Sequence, residues 1–233
     1  MHRFFNTYSY SHLLRSLSLC LLLFSQDTLA NSAIGIINDI TGTAFAKLPA
    51  EDRRELNKGT QIYESDLITT EVKSSITLRL NDETQFELGS DAKLLASKFI
   101  YKKNTEEDSI SIKILKGTFR FVSGLIAKKK SESMVVVTSV ATLGIRGTNV
   151  VGEASATSAT IILMEPDDTS RKTAIVVSNN YGSVTIDEPG YGTEIPDEFS
   201  PPSPPRRMRL QTINNLMRSI QSSQRINLPR PRF

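Results

Sequence analysis

The feature that most constrains this chain is a succession of short runs rich in β-branched and aromatic residues, between residue 34 and about residue 188. In Ser75–Leu80 polar and apolar residues alternate, Asn81 and Asp82 follow as turn residues, and the alternation resumes in Thr84–Leu88. A period of two places alternate side chains on one face of a strand. The pattern predicts a β-hairpin whose buried face holds Ile76, Leu78, Leu80, Phe86 and Leu88.

Comparable runs recur at a spacing of about 8–12 residues, and turn residues separate them. No helix of normal length is indicated between residues 34 and 188. We therefore expect an all-β domain, built as a β-sandwich, a β-roll or a short β-solenoid of about 10–14 short strands.

The first thirty residues have a different pattern. Arg3 and Arg15 precede the apolar run Leu17–Phe24, and small residues follow as far as Ala30. Basic, apolar and then small residues are the order of a secretory signal peptide, and the run is much shorter than the roughly 20 residues that span a bilayer. We expect residues 1–30 to be removed on export. The mature protein is then periplasmic or secreted, in a bacterium, without a transmembrane span.

The composition excludes several classes of function. The histidines His2 and His12 and the single cysteine, Cys20, all lie in the predicted signal peptide, and the chain has no tryptophan. A mature chain without His or Cys can form no Ser-His-Asp triad, no Cys-His pair and no imidazole metal ligand. We therefore expect no enzymatic activity, no cofactor and no metal, with a carboxylate-pair glycan hydrolase as the remaining catalytic option. A net charge of +3 is too small to indicate nucleic-acid binding.

The C-terminal part changes in character at residue 196. Five prolines between residues 196 and 205 predict a stiff, extended linker over 196–206. Residues 199–233 contain seven arginines and no acidic residue. The expected organisation is a signal peptide at 1–30, an all-β domain at 31–195, this linker, and a basic tail at 207–233 that includes a short amphipathic helix.

Several phrases of the all-β region resemble the FecR domain family, the periplasmic part of bacterial regulators. Leu143–Thr148, which reads Leu-Gly-Ile-Arg-Gly-Thr, is similar to the family's Gly-Val-Arg-Gly-Thr signature. Gly59–Thr70 and the Ser75–Leu88 hairpin are similar to phrases that precede it in the family. Ile112–Gly117 and Val135–Thr138 lie between the hairpin and the signature, in the expected order. The resemblance covers roughly residues 34–190. It implies a sensing or interaction domain, here without the anti-sigma and membrane-spanning parts of the full regulators.

Two groups of candidate interaction residues lie within the all-β region. Gly144, Arg146, Gly147 and Thr148 form the signature, in which Arg146 either offers its guanidinium to a partner's carboxylate or fixes a tight turn. The basic loop Lys128, Lys129 and Lys130 either contacts an anionic polymer or lipid, or is simply solvated.

The third group of candidate residues lies in the tail. Its apolar stripe and basic residues either contact an envelope partner or lipid, or dock back on the β domain. The main hypothesis is a non-enzymatic exported module that acts through an envelope protein partner. The alternative is a structural envelope protein that binds anionic polymer or lipid. The tail residues concerned are Arg206, Arg207, Arg209, Leu210, Ile213, Met217 and Ile220.

Overall fold

The computed structural model describes residues 32–101, 107–130, 133–166 and 173–221. The predicted signal peptide and residues 222–233 of the tail lie outside them. Seventeen strands and two helices occupy the described residues. The strands are β1 (Ala33–Thr41), β2 (Ala44–Lys47), β3 (Arg54–Glu55), β4 (Gln61–Tyr63), β5 (Leu67–Thr70), β6 (Ser75–Leu80), β7 (Gln85–Leu88), β8 (Lys93–Ile100), β9 (Ser109–Val122), β10 (Met134–Val137), β11 (Thr142–Arg146), β12 (Asn149–Ala154), β13 (Ala159–Met164), β14 (Ala174–Asn179), β15 (Gly182–Ile186), β16 (Tyr191–Ile195) and β17 (Arg206–Arg207). The helices are α1 (Leu125–Lys129) and α2 (Leu210–Gln221).

The strands form one continuous sheet with two limbs that share the 14-residue strand β9. Limb A has the order β4-β1-β6-β7-β9-β12-β13-β16-β17, and limb B has the order β3-β2-β5-β8-β9-β10-β11-β14-β15. The first part of β9 pairs in limb B, and Gly117–Val122 pairs in limb A. The change of limb falls at Gly117, whose φ of 102° only glycine adopts readily.

The inner faces of both limbs pack on one hydrophobic core, as in a β-sandwich. Phe86 and Phe121 of limb A have ring centroids 5.4 Å apart, and Ile68 and Leu94 of limb B are buried in the same cluster. The hairpin β6–β7 forms as predicted, and all five of its predicted apolar side chains are at most 2% exposed. The all-β prediction is confirmed. The described residues hold more strands than the 10–14 expected because several strands are only two to four residues long.

The proline segment after β16 packs on the sheet, although the sequence analysis interpreted it as a linker. Ser203, which has a backbone N–H between proline neighbours, donates it to the Glu194 carbonyl at 3.0 Å. Pro201 lies beside the start of β15, since a Cβ added to Gly182 would be 3.1 Å from its side chain. Pro205 and Ile186 line one shallow pocket at the end of the same strand. Residues 201–205 thus follow the edge of β15, and prolines cover that edge without extending the ladder.

Helix α2 lies on the outer face of limb A. Val151 and Ile162 point away from the main core and form a second apolar cluster with Met208, Leu216 and Ile220. At the other end of the helix its backbone lies directly on the sheet, because a Cβ added to Gly89 would be 2.9 Å from the Ser219 carbonyl oxygen. The amphipathic helix was predicted, and its apolar stripe packs on the chain's own β domain.

Candidate interaction surfaces

The signature residues 144–148, called the motif loop below, are the last three residues of β11 and the two residues that connect it to β12. Ile145 is fully buried, whereas Arg146 is exposed. Gly147 has a φ of 55°, in the left-handed region, and nothing lies within 4 Å of a Cβ placed on it. Gly144 has ordinary space around it, with the Val176 Cβ at 3.9 Å from such an atom. Of the two glycines, only Gly147 is required by the backbone conformation.

Backbone hydrogen bonds to Ser123 hold the motif loop. The Thr148 N–H donates to the Ser123 Oγ at 2.7 Å, and the Ser123 N–H donates to the Thr148 carbonyl at 3.0 Å. Both residues are buried. The Thr148 hydroxyl itself has no hydrogen-bond partner in the described structure. Thr148 therefore fixes the loop through its backbone rather than through its side chain.

The residue after Ser123 ties this anchor to the turn of the β6–β7 hairpin. Gly124 donates its N–H to the Thr84 Oγ1 at 3.0 Å, and Thr84 donates its hydroxyl to the Asp82 Oδ2 at 2.8 Å. A Cβ on Gly124 would lie 2.2 Å from the Asp82 carbonyl oxygen, so the two chain segments approach more closely than any other residue permits. Desolvation in this buried turn raises the pKa of Asp82, while hydrogen bonds from Thr84 and Ile126 oppose the shift.

Arg146 is the one charged side chain of the motif loop, and it forms no hydrogen bond or ion pair with the described residues. Among the described residues, the Ser123 contacts and the conformation of Gly147 hold the loop, and no contact of Arg146 contributes to it. Its guanidinium is left in solvent at the tip of a loop that buried bonds hold in place.

The lysine triplet was interpreted as a loop, and this was wrong. Lys128 and Lys129 form the last turn of α1, and Lys130 follows as its C-terminal cap. The Lys129 ammonium lies 3.3 Å from the Asp108 carboxylate and 5.8 Å from the centre of the Tyr101 ring. Cations near a helix C-terminus interact favourably with its dipole. One of the three lysines is thus engaged within the fold, and all three are exposed to solvent at least in part.

The tail residues divide between packing and solvent. Ile213 and Met217 pack against the second apolar cluster, and Ile220 is buried in it, as the stripe predicts. Leu210 was placed in this stripe wrongly: it begins the helix and is 76% exposed, while Leu216 is buried at 7%. The stripe starts one turn later because Met208, just before the helix, already fills the space beside Gly192.

The three arginines that precede the helix are exposed. The Arg206 guanidinium lies 2.8 Å from the Glu194 carboxylate, across the β16–β17 pair. Arg207 and Arg209 form no ion pair with any described residue.

One exposed feature was not predicted from the sequence. Tyr181, in the β14–β15 turn, and Phe199, after β16, are 51% and 68% exposed, and their ring centroids are 6.5 Å apart at 74°. Asn179 connects the two segments: its Oδ1 accepts from the Tyr181 N–H at 2.9 Å, and its Nδ2 donates to the Ser200 carbonyl at 2.8 Å. We call Tyr181 and Phe199 the aromatic pair. No local pattern could have joined two residues eighteen positions apart.

A buried acid elsewhere, Asp66, has a structural role. Asp66, at the start of β5, is fully buried, and Arg54 binds both of its carboxylate oxygens. The Tyr63 N–H also donates to this carboxylate, at 2.8 Å. The hydrogen bond to Asp66 raises the pKa of Arg54. The bidentate pair closes the β4–β5 turn and leaves this carboxylate no free oxygen for a ligand.

Comparison with known proteins identifies the central part of the chain. Residues 66–166 match the family described as "FecR protein". The match runs from Asp66 through the hairpin and the motif loop to the residues after β13. The resemblance to the FecR domain family is thereby confirmed over residues 66–166. The search of curated proteins found no match.

Two solved structures show a distant likeness. Both are crystal structures of a protein described as a "putative anti-sigma factor" from Parabacteroides distasonis ATCC 8503, at 2.50 and 1.65 Å resolution. Each has 11% sequence identity and a TM-score of 0.48, with 65% of this chain and 64% of the other covered. This chain therefore spans less than two thirds of the length of that protein. Neither helix in the described ranges is long and apolar enough to cross a membrane.

Proposed function

We propose that this chain, with its FecR domain at residues 66–166, is an exported, non-catalytic module that acts by binding a protein partner in the cell envelope. The match to a regulatory family supports a signalling role. The signal-peptide pattern of residues 1–30 supports export.

The observation that carries the proposal is the geometry of the motif loop. Buried hydrogen bonds from Ser123 fix its backbone, while Arg146 stands exposed and unpaired among the described residues. A guanidinium on a fixed loop offers a fork of donors to a carboxylate, and little conformational entropy is lost when the loop binds. Arg146 is thus suited to contact an acidic group on a partner.

The test is recovery of the partner by crosslinking in the bacterial envelope. The full chain is the bait, and the matched variants are Arg146→Glu and Leu210→Ala, which both change exposed side chains. We expect the wild type and Leu210→Ala to recover the same defined partner, and Arg146→Glu to lose most of it at an unchanged melting temperature. Equal recovery by Arg146→Glu would overturn the role of the motif loop.

Export has a separate test. Mass spectrometry of the protein from the periplasmic fraction should show a mature N-terminus at Asn31. Full-length protein retained in the cytoplasm would contradict export and leave the binding test unaffected.

Attachment to anionic lipid or polymer is the alternative outcome. The apolar stripe of α2 is packed on limb A, so among the described residues such attachment would depend on the exposed arginines Arg207 and Arg209 and the lysines of α1. Sedimentation with anionic vesicles that Arg207→Gln/Arg209→Gln abolishes would favour it over a protein partner.

A further inference from the structure

The aromatic pair has no structural role that accounts for its exposure. Tyr181 and Phe199 are more than half exposed, and neither belongs to the two apolar clusters of the described residues. Scattered apolar side chains on a surface are ordinary, but two adjacent aromatic rings in edge-to-face contact form a continuous apolar patch. Aromatic residues are enriched in the energetic centres of protein interfaces.

Hydrogen bonds fix the backbone of the two segments that carry the rings. Asn179 joins the two segments, and its Nδ2 also reaches the Val140 carbonyl, at 3.3 Å. On the other side, the Asp197 carboxylate accepts the Phe199 N–H at 2.9 Å and the Ser200 hydroxyl at 2.8 Å. A surface fixed in this way loses little entropy on binding.

The charge around the pair indicates the chemistry of the partner. Residues 173–205 contain no lysine, arginine or histidine, and two acidic residues, Asp197 and Glu198, directly precede Phe199. Of the other three acids in this range, Glu194 pairs with Arg206, and Asp187 and Glu188 follow the far end of β15. Glu198 is exposed and forms no ion pair with the described residues. The patch is therefore aromatic with an acidic rim, which is complementary to a cation.

We propose that the aromatic pair is a docking site for an arginine or lysine side chain of a protein partner. The cation lies against the ring faces of Tyr181 and Phe199, and Glu198 accepts a hydrogen bond from it. This site lies at the opposite end of the β11–β14 pair from Arg146, since Arg146 is in register with Ala174 and Thr142 with Ser178. The proposal rests on the proposed function in one respect, because both require a protein partner.

The test is titration of the full chain with a defined peptide, followed by NMR of the aromatic ring protons. The probe is an octapeptide of alternating serine and arginine, and its control has citrulline, a neutral isostere, in place of arginine. We expect the resonances of Tyr181 and Phe199 to shift with the arginine peptide, and the citrulline peptide to bind about tenfold more weakly.

Variants separate ring chemistry from apolar area. Tyr181→Leu/Phe199→Leu keeps apolar side chains but removes both π-systems, and we expect it to bind the arginine peptide about tenfold more weakly. Arg146→Gln should bind like the wild type, so failure of this proposal is distinguishable from failure of the motif-loop proposal. Equal binding of the arginine and citrulline peptides, or by the Leu/Leu variant, would overturn it. Ring shifts of the same size with cellobiose would also overturn it, in favour of a saccharide site.

Discussion

The two ends of the β11–β14 strand pair differ in how their surfaces are built. At one end the motif loop rests on a buried polar anchor, in which Ser123, Gly124 and Asp82 connect three chain segments. At the other end the aromatic pair rests on exposed or half-buried side-chain bonds from Asn179 and Asp197. The motif end is thus built into the core, whereas the aromatic end is assembled on the surface.

The largest effect should come from the anchor at the motif end. Gly124→Ala places a Cβ 2.2 Å from the Asp82 carbonyl oxygen and 2.4 Å from the Thr84 nitrogen, so the backbone must move. We expect the free energy of unfolding to fall by more than about 3 kcal/mol, measured by urea denaturation. The matched control is Gly144→Ala, which meets only ordinary contacts and should change stability by less than about 0.5 kcal/mol. Equal losses in the two variants would contradict a role specific to the anchor.

The aromatic end should respond less. Asn179→Ala removes four side-chain hydrogen bonds to the backbone, and we expect a loss of about 2 kcal/mol in the same measurement. Asn179→Asp keeps the acceptor for the Tyr181 and Gly182 N–H groups and should lose about half as much. If Asn179→Ala were as damaging as Gly124→Ala, the contrast between a core anchor and a surface anchor would be wrong.

A smaller effect should appear as a pH dependence of the motif end. Burial raises the pKa of Asp82 above its ordinary 3.8, so the folded protein binds this proton more tightly than the unfolded chain does. The contribution of Asp82 to stability is therefore fully present below pH 3.8 and is lost as the pH rises through the raised value. The measurement is the difference in unfolding free energy between the wild type and Asp82→Asn across this range. We expect the difference to fall as the pH rises; a rise would mean that the hydrogen bonds to the carboxylate outweigh its desolvation.

The smallest effect on stability should come from Arg146. Arg146→Gln removes an exposed charge without a partner among the described residues, so the unfolding free energy should change by less than about 0.5 kcal/mol. A larger loss of unfolding free energy, measured by urea denaturation, would show that Arg146 has a structural role, as its anchor does.

The sequence predicted those structural elements that depend on a local residue pattern. The β6–β7 hairpin was predicted because its alternation is regular and Asn81 and Asp82 mark the turn. The apolar stripe of α2 was predicted from its spacing, but its bounds depended on a tertiary contact: Met208 fills the sheet surface where Leu210 was expected.

What the sequence missed depends on contacts between distant segments. Prolines indicate an extended chain, but nothing local shows that Ser203 pairs with Glu194 and that the segment follows an edge of the sheet. The aromatic pair arises in the same way, because one asparagine side chain brings Tyr181 and Phe199 together. Arg146 was a candidate from the sequence, and the contacts by which Ser123 holds the loop are visible only in the structure.

The pairing of strand β9 in both limbs affects how the domain unfolds. Its first half is hydrogen-bonded into limb B and its second half into limb A, and the inner faces of both limbs share one core, so opening either limb exposes the core surface of the other. Amide protons in the middle of β9 should therefore exchange with solvent only when the whole domain opens, at the rate set by global unfolding. Calorimetry should accordingly show the two limbs melting in a single transition, with equal calorimetric and van't Hoff enthalpies.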